Sequence, residues 1–333
     1  MVISRTPFRL SLFGGGTDYP VWFRDHGGAV LASTINKYCY ISCRHLPPFF
    51  EHKYRIAYSS IEEVKDLSEI RHPSANKVLQ FIGAEQGMEI HYDGDLPART
   101  GLGSSSSFTV GLLNALYALQ GKVTTKMKLA LDAIHVEQNM IKENVGSQDQ
   151  VSAAFGGFNR ITFYPNDEIS VDPVTVSQKR LAELEAHLML FYTGVSRFAS
   201  EIAADQIQNT CHKKDELQTI YRMVDEAIAI LSNGADIKDI GKLLHESWQL
   251  KKNLSCKISN CHIDDIYKAG RRAGAIGGKL TGAGGGGFIL FFADPENQPK
   301  IKKALRDLLH VPFKFENLGS QIIFYQPNGY HHS

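Results

Sequence analysis

The chain has 333 residues, 43% of them hydrophobic, and a formal net charge of +1 at pH 7. This length and apolar content exceed what one domain usually holds, so we expect two domains. A nearly neutral chain with interspersed acidic and basic residues excludes a charge-driven surface for nucleic acid or anionic membranes, and it favours small-molecule partners.

The sequence also indicates a cellular compartment and the redox state of the cysteines. The N-terminal stretch MVISRTPFRLSLF lacks the long apolar run of a secretory signal, and the later run FILFFA is too short to cross a bilayer. Five cysteines, an odd number, indicate reduced thiols rather than a disulfide scaffold. We therefore predict a cytoplasmic protein. Two groups lack the paired short spacing of structural zinc sites: Cys39, Cys43 and His45, and Cys256, Cys261 and His262.

The first half of the sequence mixes strand and helix patterns. FRLSLF alternates apolar and polar residues, which predicts a half-buried strand with Arg9 on its exposed face. GGAVLASTI and KYCYISCRH predict a hairpin, and MEIHYDGDL predicts another strand. FTVGLLNALYALQG predicts a helix that ends at Gly121, and TKMKLALDAIHVEQNMIKENVG predicts a helix closed by Gly146. GGFNRITFYP predicts a further strand.

The composition changes near Gln178, where we place the boundary between a domain of residues 1–178 and a domain of residues 179–333. KRLAELEAHLMLFYTG begins as a helix and becomes a strand, and long helices are expected over 200–233 and 237–253. A glycine-rich turn then leads into the strand FILFFA, followed by the helix PKIKKALRDLLH and the strand SQIIFYQP. Strands and helices without strict alternation predict an α+β fold rather than a doubly wound sheet.

Three glycine clusters, at residues 14–17, 101–107 and 281–287, mark places where the backbone can approach a ligand. The second, in TGLGSSSSF, directly precedes a predicted helix, whose N–H groups and positive dipole end favour a phosphate. Its serines could instead cap the helix, but capping accounts for one serine and not for four. We therefore predict that residues 101–107 bind phosphate.

Two familiar phosphate motifs do not account for these clusters. The sequence has no Gly-Lys-Ser/Thr, which excludes a Walker A loop. Gly282, Gly284 and Gly287 have the spacing G-x-G-x-x-G, but they precede a strand and not a helix, so the dinucleotide interpretation fails. The third cluster is interpreted as a tight turn against another loop or as a second wall of the nucleotide site.

Phosphoryl transfer also needs a carboxylate for a metal and a group that orients the attacking hydroxyl. Glu137 lies among apolar residues of the second predicted helix, where a buried carboxylate needs a cation or donors. A solvent-facing glutamate is the alternative. Asp149, in the turn GSQDQ, is a candidate base, and a local turn cap is its alternative. Arg9 by itself fits a surface charge.

Taken together, three stretches in order resemble the GHMP kinase superfamily: TPFRLSLFGGGTDYP, LPARTGLGSSSSFTVG and KLTGAGGGGF. The resemblance covers nearly the whole chain. It implies a two-domain GHMP kinase fold, with an N-terminal domain like ribosomal protein S5 domain 2 and a ferredoxin-like C-terminal domain. It also implies ATP-dependent transfer to a hydroxyl of a small molecule, with ATP and Mg²⁺ bound.

The resemblance implies specific residue roles. Asp149 would be the catalytic base with Arg9 beside it, and Glu137 and Ser105 would bind Mg²⁺. The ATP-binding residues would be Gly101, Leu102, Gly103, Ser104, Ser105 and Ser106. Substrate contacts would come from Asp18, which matches an aspartate that binds sugar hydroxyls, and from Gly15, Gly16, Thr17 and Gly284.

Within the superfamily, GGGTD, GSQDQ, FGGFN and YTGVSRFAS resemble the bacterial D-glycero-D-manno-heptose 7-phosphate kinases, which phosphorylate the anomeric hydroxyl. Arg197 is then a candidate for the sugar phosphate, with a salt bridge as its alternative, and Lys252 and Lys279 are weaker candidates. A C1-kinase of an unphosphorylated hexose such as fucose or galactose, and a non-catalytic sensor, remain alternatives. The expected partners are ATP and a sugar phosphate, and the chain is expected to be a monomer or homodimer.

Overall fold

The computed structural model describes residues 1–194 and 199–327 of the chain, without the side chains of residues 199–201 and 211. The strands of this part are β1 (Val2–Phe13), β2 (Gly28–His45), β3 (Tyr54–Ala57), β4 (Ile61–Val64), β5 (Met88–Gly94), β6 (Phe158–Phe163), β7 (Ile169–Pro173), β8 (Leu188–Tyr192), β9 (Ala275–Leu280), β10 (Phe288–Ala293), β11 (Leu309–Val311), β12 (Phe315–Glu316) and β13 (Gln321–Tyr325).

The α-helices of the same part are α1 (Pro20–His26), α2 (Pro73–Phe81), α3 (Ser104–Leu119), α4 (Lys126–Ile134), α5 (Gln148–Phe155), α6 (Gln178–His187), α7 (Ala199–Asn209), α8 (Lys214–Ser232), α9 (Lys238–Lys252), α10 (Cys261–Arg272) and α11 (Gln298–Ala304). Helix α4 continues directly into a π-helical segment, His135–Ile141. None of the described helices has the length and apolar content to cross a membrane.

The strands form two sheets. In the first, the order is β13-β1-β2-β5-β3-β4, with β6 and β12 also paired to β2, and β7 paired to β6. The second sheet has the order β11-β8-β10-β9, with antiparallel pairing throughout. The two sheets, with helices packed against them, confirm the mixed α+β organisation predicted from the sequence.

The predicted hairpin is wrong, because GGAVLASTI and KYCYISCRH belong to the single strand β2. The β1–β2 register places Pro7 opposite Tyr38 and Phe8 opposite Ile35, so Asn36 and Lys37 form a bulge. The Asn36 N–H donates to the Lys314 carbonyl at 2.9 Å. A bulge interrupts the alternation of side chains as a turn does, but it lets the strand continue.

The predicted exposure of Arg9 is also wrong. Strand β1 is buried along nearly its whole length, because α3, α5 and α8 all contact it. Arg9 is 4% exposed. The alternating pattern therefore belongs to a buried strand, and the polar side chain of Arg9 faces the protein interior instead of solvent.

The C-terminal half follows the predicted order only in part. The helix expected over 200–233 is divided into α7 and α8, and α10 was not predicted. The stretch interpreted as a glycine-rich turn contains strand β9 before the turn, and β9 pairs with β10. After β11 the chain returns to the first sheet, where β12 pairs with β2 and β13 pairs with β1. The boundary at residue 178, which coincides with the start of α6, remains a prediction.

Candidate active site

A cavity of about 730 Å³ is lined by residues from both sheets and their helices. It brings together residues from the three glycine clusters and from the start of α5. The lining includes Arg9, Asp18, Gly103, Ser105, Asp149 and Gly282. Segments that are far apart in the sequence therefore share one site.

Arg9 and Asp149 form a two-point ion pair at this cavity. Arg9 Nε donates to Asp149 Oδ1 and Arg9 Nη2 donates to Asp149 Oδ2, both at 2.7 Å. Arg9 Nη1 also donates to the Gly101 carbonyl at 2.7 Å, which ties the pair to the glycine-serine loop. Such a fork fixes the plane of the carboxylate. The Asp149 side chain is 25% exposed, so its lone pairs remain accessible from the cavity.

The glycine-serine loop leads directly into α3. The residue before the helix, Gly103, has φ +76°, and no side chain caps the first turn. The first N–H groups of a helix have no intrahelical acceptor, and they carry the positive end of the helix dipole. The interpretation of the serines as helix caps is therefore wrong, and the first turn of α3 is available to an anion.

The four serines have different surroundings. Ser104 accepts a hydrogen bond from the Arg99 N–H at 3.0 Å, which shapes the loop. Ser106 Oγ donates to Glu137 Oε2 at 2.8 Å, and Ser107 Oγ donates to the Pro7 carbonyl at 3.0 Å. Ser105 is exposed and lines the cavity. Of the four serines, Ser106 hydrogen-bonds to Glu137, and the role of Ser105 as a ligand of Mg²⁺ stays a prediction.

Glu137 is fully buried, in the π-helical segment. Gln150 Nε2 and Ser106 Oγ donate to its Oε2, and its Oε1 has no hydrogen-bond partner among the described residues. Burial raises the pKa of Glu137 to about 7, because the neighbouring donors offset the loss of water only in part. An orphaned buried carboxylate oxygen beside a serine loop fits a hard cation with oxygen ligands.

Asp18 lies behind the first glycine cluster and is 1% exposed. Its Oδ1 accepts from the Gly16 N–H at 3.0 Å, and its Oδ2 accepts from the Gln148 N–H at 3.4 Å. Burial raises the pKa of Asp18, against these hydrogen bonds. A Cβ at Gly146 would lie 1.9 Å from Asp18 Oδ2, so only glycine fits there.

Two buried lysines face the same cavity. Lys279 Nζ donates to the Ser11 and Leu12 carbonyls at 2.9 and 3.0 Å, so it joins β9 to β1. Lys251, on α9, is not among the residues predicted from the sequence to lie in the site, whereas its neighbour Lys252 is. Lys251 lies three residues after Trp248 and seven after Leu244, both buried, and this helical spacing was the available signal.

Another part of the cavity, called the aromatic end below, is lined by Tyr58, His72, Tyr92 and Phe108. The rings of His72 and Phe108 stack at 4.5 Å, Tyr58 meets His72 edge-on at 4.8 Å, and Tyr92 lies 5.6 Å from Phe108. The buried Glu62 accepts from the Tyr58 hydroxyl at 2.7 Å and from the His72 N–H at 3.1 Å. No sequence pattern indicates this end, because its residues come from separate elements: Tyr92 lies in β5, Phe108 in α3, His72 directly before α2, and Tyr58 after β3.

Some predicted site residues lie elsewhere. Thr17 is buried and donates to the Gly14 and Ala29 carbonyls, so its hydroxyl supports the loop. Within the described part of the chain, Glu137, Thr17, Leu102 and Gly284 are not among the residues that line the cavity, whereas Gly15 and Gly16 are. Arg197 falls outside the described residues.

The third glycine cluster packs against the second. A Cβ on Gly282 would lie 2.3 Å from Gly101 Cα, and the Thr100 carbonyl accepts from the Phe288 N–H at 3.2 Å. The cluster therefore forms a tight turn against the second cluster, and Gly282 lines the cavity; its role as a wall of the nucleotide site stays a prediction.

Two models of known protein families match the chain. Residues 70–157 match the model of the GHMP kinases N terminal domain, and residues 226–311 match that of the GHMP kinases C terminal domain. The chain is a GHMP kinase. The first match contains the serine loop, Glu137 and Asp149, and the second contains Lys251 and the third glycine cluster.

Relatives of this GHMP kinase include a D-glycero-alpha-D-manno-heptose 7-phosphate kinase of Campylobacter jejuni, 31% identical over 91% of this chain and 92% of the relative. A solved D-glycero-D-manno-heptose 1-phosphate kinase from Bacteroides thetaiotaomicron has a TM-score of 0.76 and 26% identity, over 96% of this chain and 98% of that one. A galactokinase of Pyrococcus furiosus is 27% identical over 66% of this chain and 68% of its own length. This GHMP kinase is an ATP-dependent phosphotransferase of the sugar-kinase type.

Proposed function

We propose that this GHMP kinase transfers the γ-phosphate of ATP to the anomeric hydroxyl of D-glycero-D-manno-heptose 7-phosphate. The product is the 1,7-bisphosphate, a precursor for GDP-heptose synthesis. In this step the hydroxyl oxygen attacks the γ-phosphorus, the bond from that phosphorus to the β–γ bridging oxygen breaks, and ADP leaves with the electron pair. Asp149 accepts the hydroxyl proton.

The observation that carries the proposal is the Arg9–Asp149 pair at the edge of the serine loop. A general base must lie within hydrogen-bond reach of the proton that it accepts, with its carboxylate held in one plane. Arg9 fixes the orientation of the Asp149 carboxylate and also anchors the loop that would bind the phosphates. A substrate hydroxyl in the cavity beside Asp149 would therefore face the γ-phosphate.

ATP would bind with its phosphates at the first turn of α3 and its base at the aromatic end. His72 Nδ1 accepts from the Ala75 N–H at 3.2 Å, and burial lowers the His72 pKa, so the neutral ring carries its proton on Nε2. That N–H can donate to an acceptor nitrogen of a purine. The rings of Phe108 and Tyr92 supply apolar surface for stacking.

Magnesium would be held by Glu137 with Ser105 and the ATP phosphates. The described residues include no group of three or more histidine, cysteine or carboxylate side chains that could hold a metal alone. The free Oε1 of Glu137 and the accessible hydroxyl of Ser105 suit a cation that takes its other ligands from phosphate and water. A Mg²⁺ ion held by these residues would neutralise part of the negative charge of the ATP phosphates.

The substrate assignment rests on the relatives. The C. jejuni relative is named for heptose 7-phosphate, and the solved B. thetaiotaomicron structure is named for heptose 1-phosphate. Asp18, with both oxygens held by backbone N–H groups, would bind sugar hydroxyls. Arg197 remains the predicted ligand of the distal sugar phosphate.

A substrate panel tests this proposal by magnesium-dependent ADP release. It contains heptose 7-phosphate, heptose 1-phosphate, the free heptose, galactose and fucose. We expect turnover of the 7-phosphate to exceed that of the others, with the new phosphate at C1. Equal turnover of galactose or fucose would indicate a hexose kinase, and ATP and sugar binding without ADP release would indicate a sensor.

The Asp149→Asn variant tests the base in the same assay. Removing the proton acceptor should lower kcat by roughly 10²- to 10⁴-fold and leave ATP affinity nearly unchanged, because the predicted contact is to the sugar hydroxyl. Asp172→Asn, at an exposed position of β7, is the matched control. Turnover of Asp149→Asn near the wild-type rate would remove Asp149 from its role.

A further inference from the structure

Lys251 is a buried cation in the wall of the site. It belongs to α9 of the C-terminal half, is 7% exposed and lines the cavity. The adjacent Lys252 has a side chain 25% exposed and lies 3.5 Å from Asp264. Lys251 therefore faces the cavity, whereas Lys252 faces Asp264.

The ammonium group of Lys251 lacks a counter-charge in direct contact. Its Nζ donates to the Gly282 carbonyl, and no carboxylate oxygen of a described residue lies within 4.0 Å of it. The two carboxylates that act on it electrostatically, Asp18 and Asp149, are already held by backbone N–H groups and by Arg9.

Burial therefore lowers the pKa of Lys251 to about 8, with a further lowering from the Arg9 charge and an opposing effect of Asp18 and Asp149. An ammonium group has three N–H donors, and a single carbonyl engages one of them. Burying a charge without a partner is unfavourable, so an anion that enters the cavity would relieve this cost.

The position of Lys251 indicates which anion. Its acceptor Gly282 packs on Gly101, the first residue of the serine loop, and the Gly101 carbonyl accepts from Arg9. The ammonium therefore lies where the phosphate loop, the third glycine cluster and the Arg9–Asp149 pair meet. The loop GLGSSSS itself contains no lysine or arginine.

We propose that Lys251 binds the γ-phosphate of ATP and supplies, from the C-terminal half, the cation that the serine loop lacks. Its ammonium compensates the negative charge on the phosphoryl oxygens during transfer. This inference rests on ATP-dependent phosphoryl transfer as proposed above, but not on which sugar accepts the phosphate. The distal phosphate of a sugar phosphate has the same oxyanion chemistry, and the experiment separates the two.

The test compares ATP with ADP, which lacks the γ-phosphate, in calorimetric titrations of the full chain with Mg²⁺. Lys251→Met should weaken ATP binding roughly 10- to 100-fold and ADP binding less than about twofold, as expected for one charge-assisted contact. Lys251→Arg should recover part of the ATP affinity. Lys242→Met, at an exposed position of the same helix, is the control and should bind both nucleotides as the wild type does.

Turnover provides the second measurement. Lys251→Met should lower kcat by roughly 10²- to 10³-fold for whichever sugar of the panel is turned over, as for other groups that stabilise transition-state charge. Because the nucleotide titrations contain no sugar, a wrong sugar assignment would leave the ATP and ADP results intact. The two proposals therefore fail separately.

Three results would overturn the inference. Equal weakening of ATP and ADP would place Lys251 at the other phosphates or in a structural role. A raised KM for the sugar phosphate with unchanged ATP affinity would assign Lys251 to the sugar's own phosphate, and wild-type behaviour would leave it without a ligand. If Lys251→Met does not fold, Lys251→Gln and Lys251→Arg allow the same comparison.

Discussion

At the scale of single residues, the site depends on charges held away from water. Arg9 and Asp149 form an ion pair with two hydrogen bonds. By contrast, Glu137 Oε1 accepts no hydrogen bond from a described residue, and the Lys251 ammonium donates to the Gly282 carbonyl alone among them. A buried group with unused capacity is unfavourable unless a ligand completes it. The incomplete residues therefore indicate where the metal and the phosphates belong.

Glu137 gives a prediction with a definite sign. Its pKa rises from 4.5 to about 7 on folding, so between these values the folded state binds more protons than the unfolded state. The contribution of Glu137 to the free energy of unfolding of the metal-free protein must therefore fall as the pH rises through this window, by up to about 3 kcal/mol. Glu137→Gln lacks this titration. It should match the wild type at pH 5 and be the more stable protein at pH 8.

Urea unfolding at both pH values, without Mg²⁺, measures this difference. Glu296→Gln, at an exposed position, is the control and should keep the wild-type pH dependence. Adding Mg²⁺ and ATP at pH 8 should stabilise the wild type more than Glu137→Gln, because a bound cation favours the ionised form. An identical pH slope in Glu137→Gln and wild type would rule out Glu137 as the titrating group.

At the scale of elements, neighbouring serines in the first turn of α3 have different surroundings. Ser106 donates to Glu137, whereas Ser105 faces the cavity. Ser105→Ala should raise the Mg²⁺ concentration needed for half-maximal activity without moving the pH profile, as for a lost ligand. Ser106→Ala should move the pH profile of Mg²⁺ activation upward, because Glu137 loses a donor that favours its ionised form.

Activity measured against Mg²⁺ concentration at several pH values separates these outcomes. Ser107→Ala is the control, since its hydroxyl donates to the Pro7 carbonyl and not to Glu137. If the pH profile moves with Ser105→Ala and not with Ser106→Ala, the two roles are reversed.

The elements also show what the sequence can predict. Strong periodicity and terminal signals located α3 and β10, and the glycine clusters located the walls of the site. The bulge at Asn36 was interpreted as a turn, because both interrupt a strand pattern. The burial of Arg9 could not be predicted, because it depends on helices that cover β1 from distant parts of the chain.

At the scale of the whole molecule, the C-terminal strands connect the two sheets. Strands β12 and β13 follow the second sheet in sequence but pair with β2 and β1 of the first. Lys279 adds a polar contact between β9 and β1. We therefore expect one cooperative unfolding transition, with coincident midpoints for near-UV and far-UV circular dichroism.

Truncation after residue 311 provides the comparison. Loss of β12 and β13 leaves β1 and β2 without these partners, so the truncated chain should show a lower midpoint for the first sheet and lose the site that both sheets line. Two resolved transitions in the full chain would contradict this expectation, because they would show that the halves unfold independently.

The pairing of β1 with β13 has a consequence for synthesis on the ribosome. Arg5 of β1 donates to Gln321 of β13, 316 residues further along the chain. Domains generally fold from the N-terminus as the chain emerges, but here the outer edge of β1 has no neighbour until residues 321–325 have been synthesised. The nascent chain therefore carries an open strand edge up to that point, and an unpaired edge of this kind is a surface that chaperones protect.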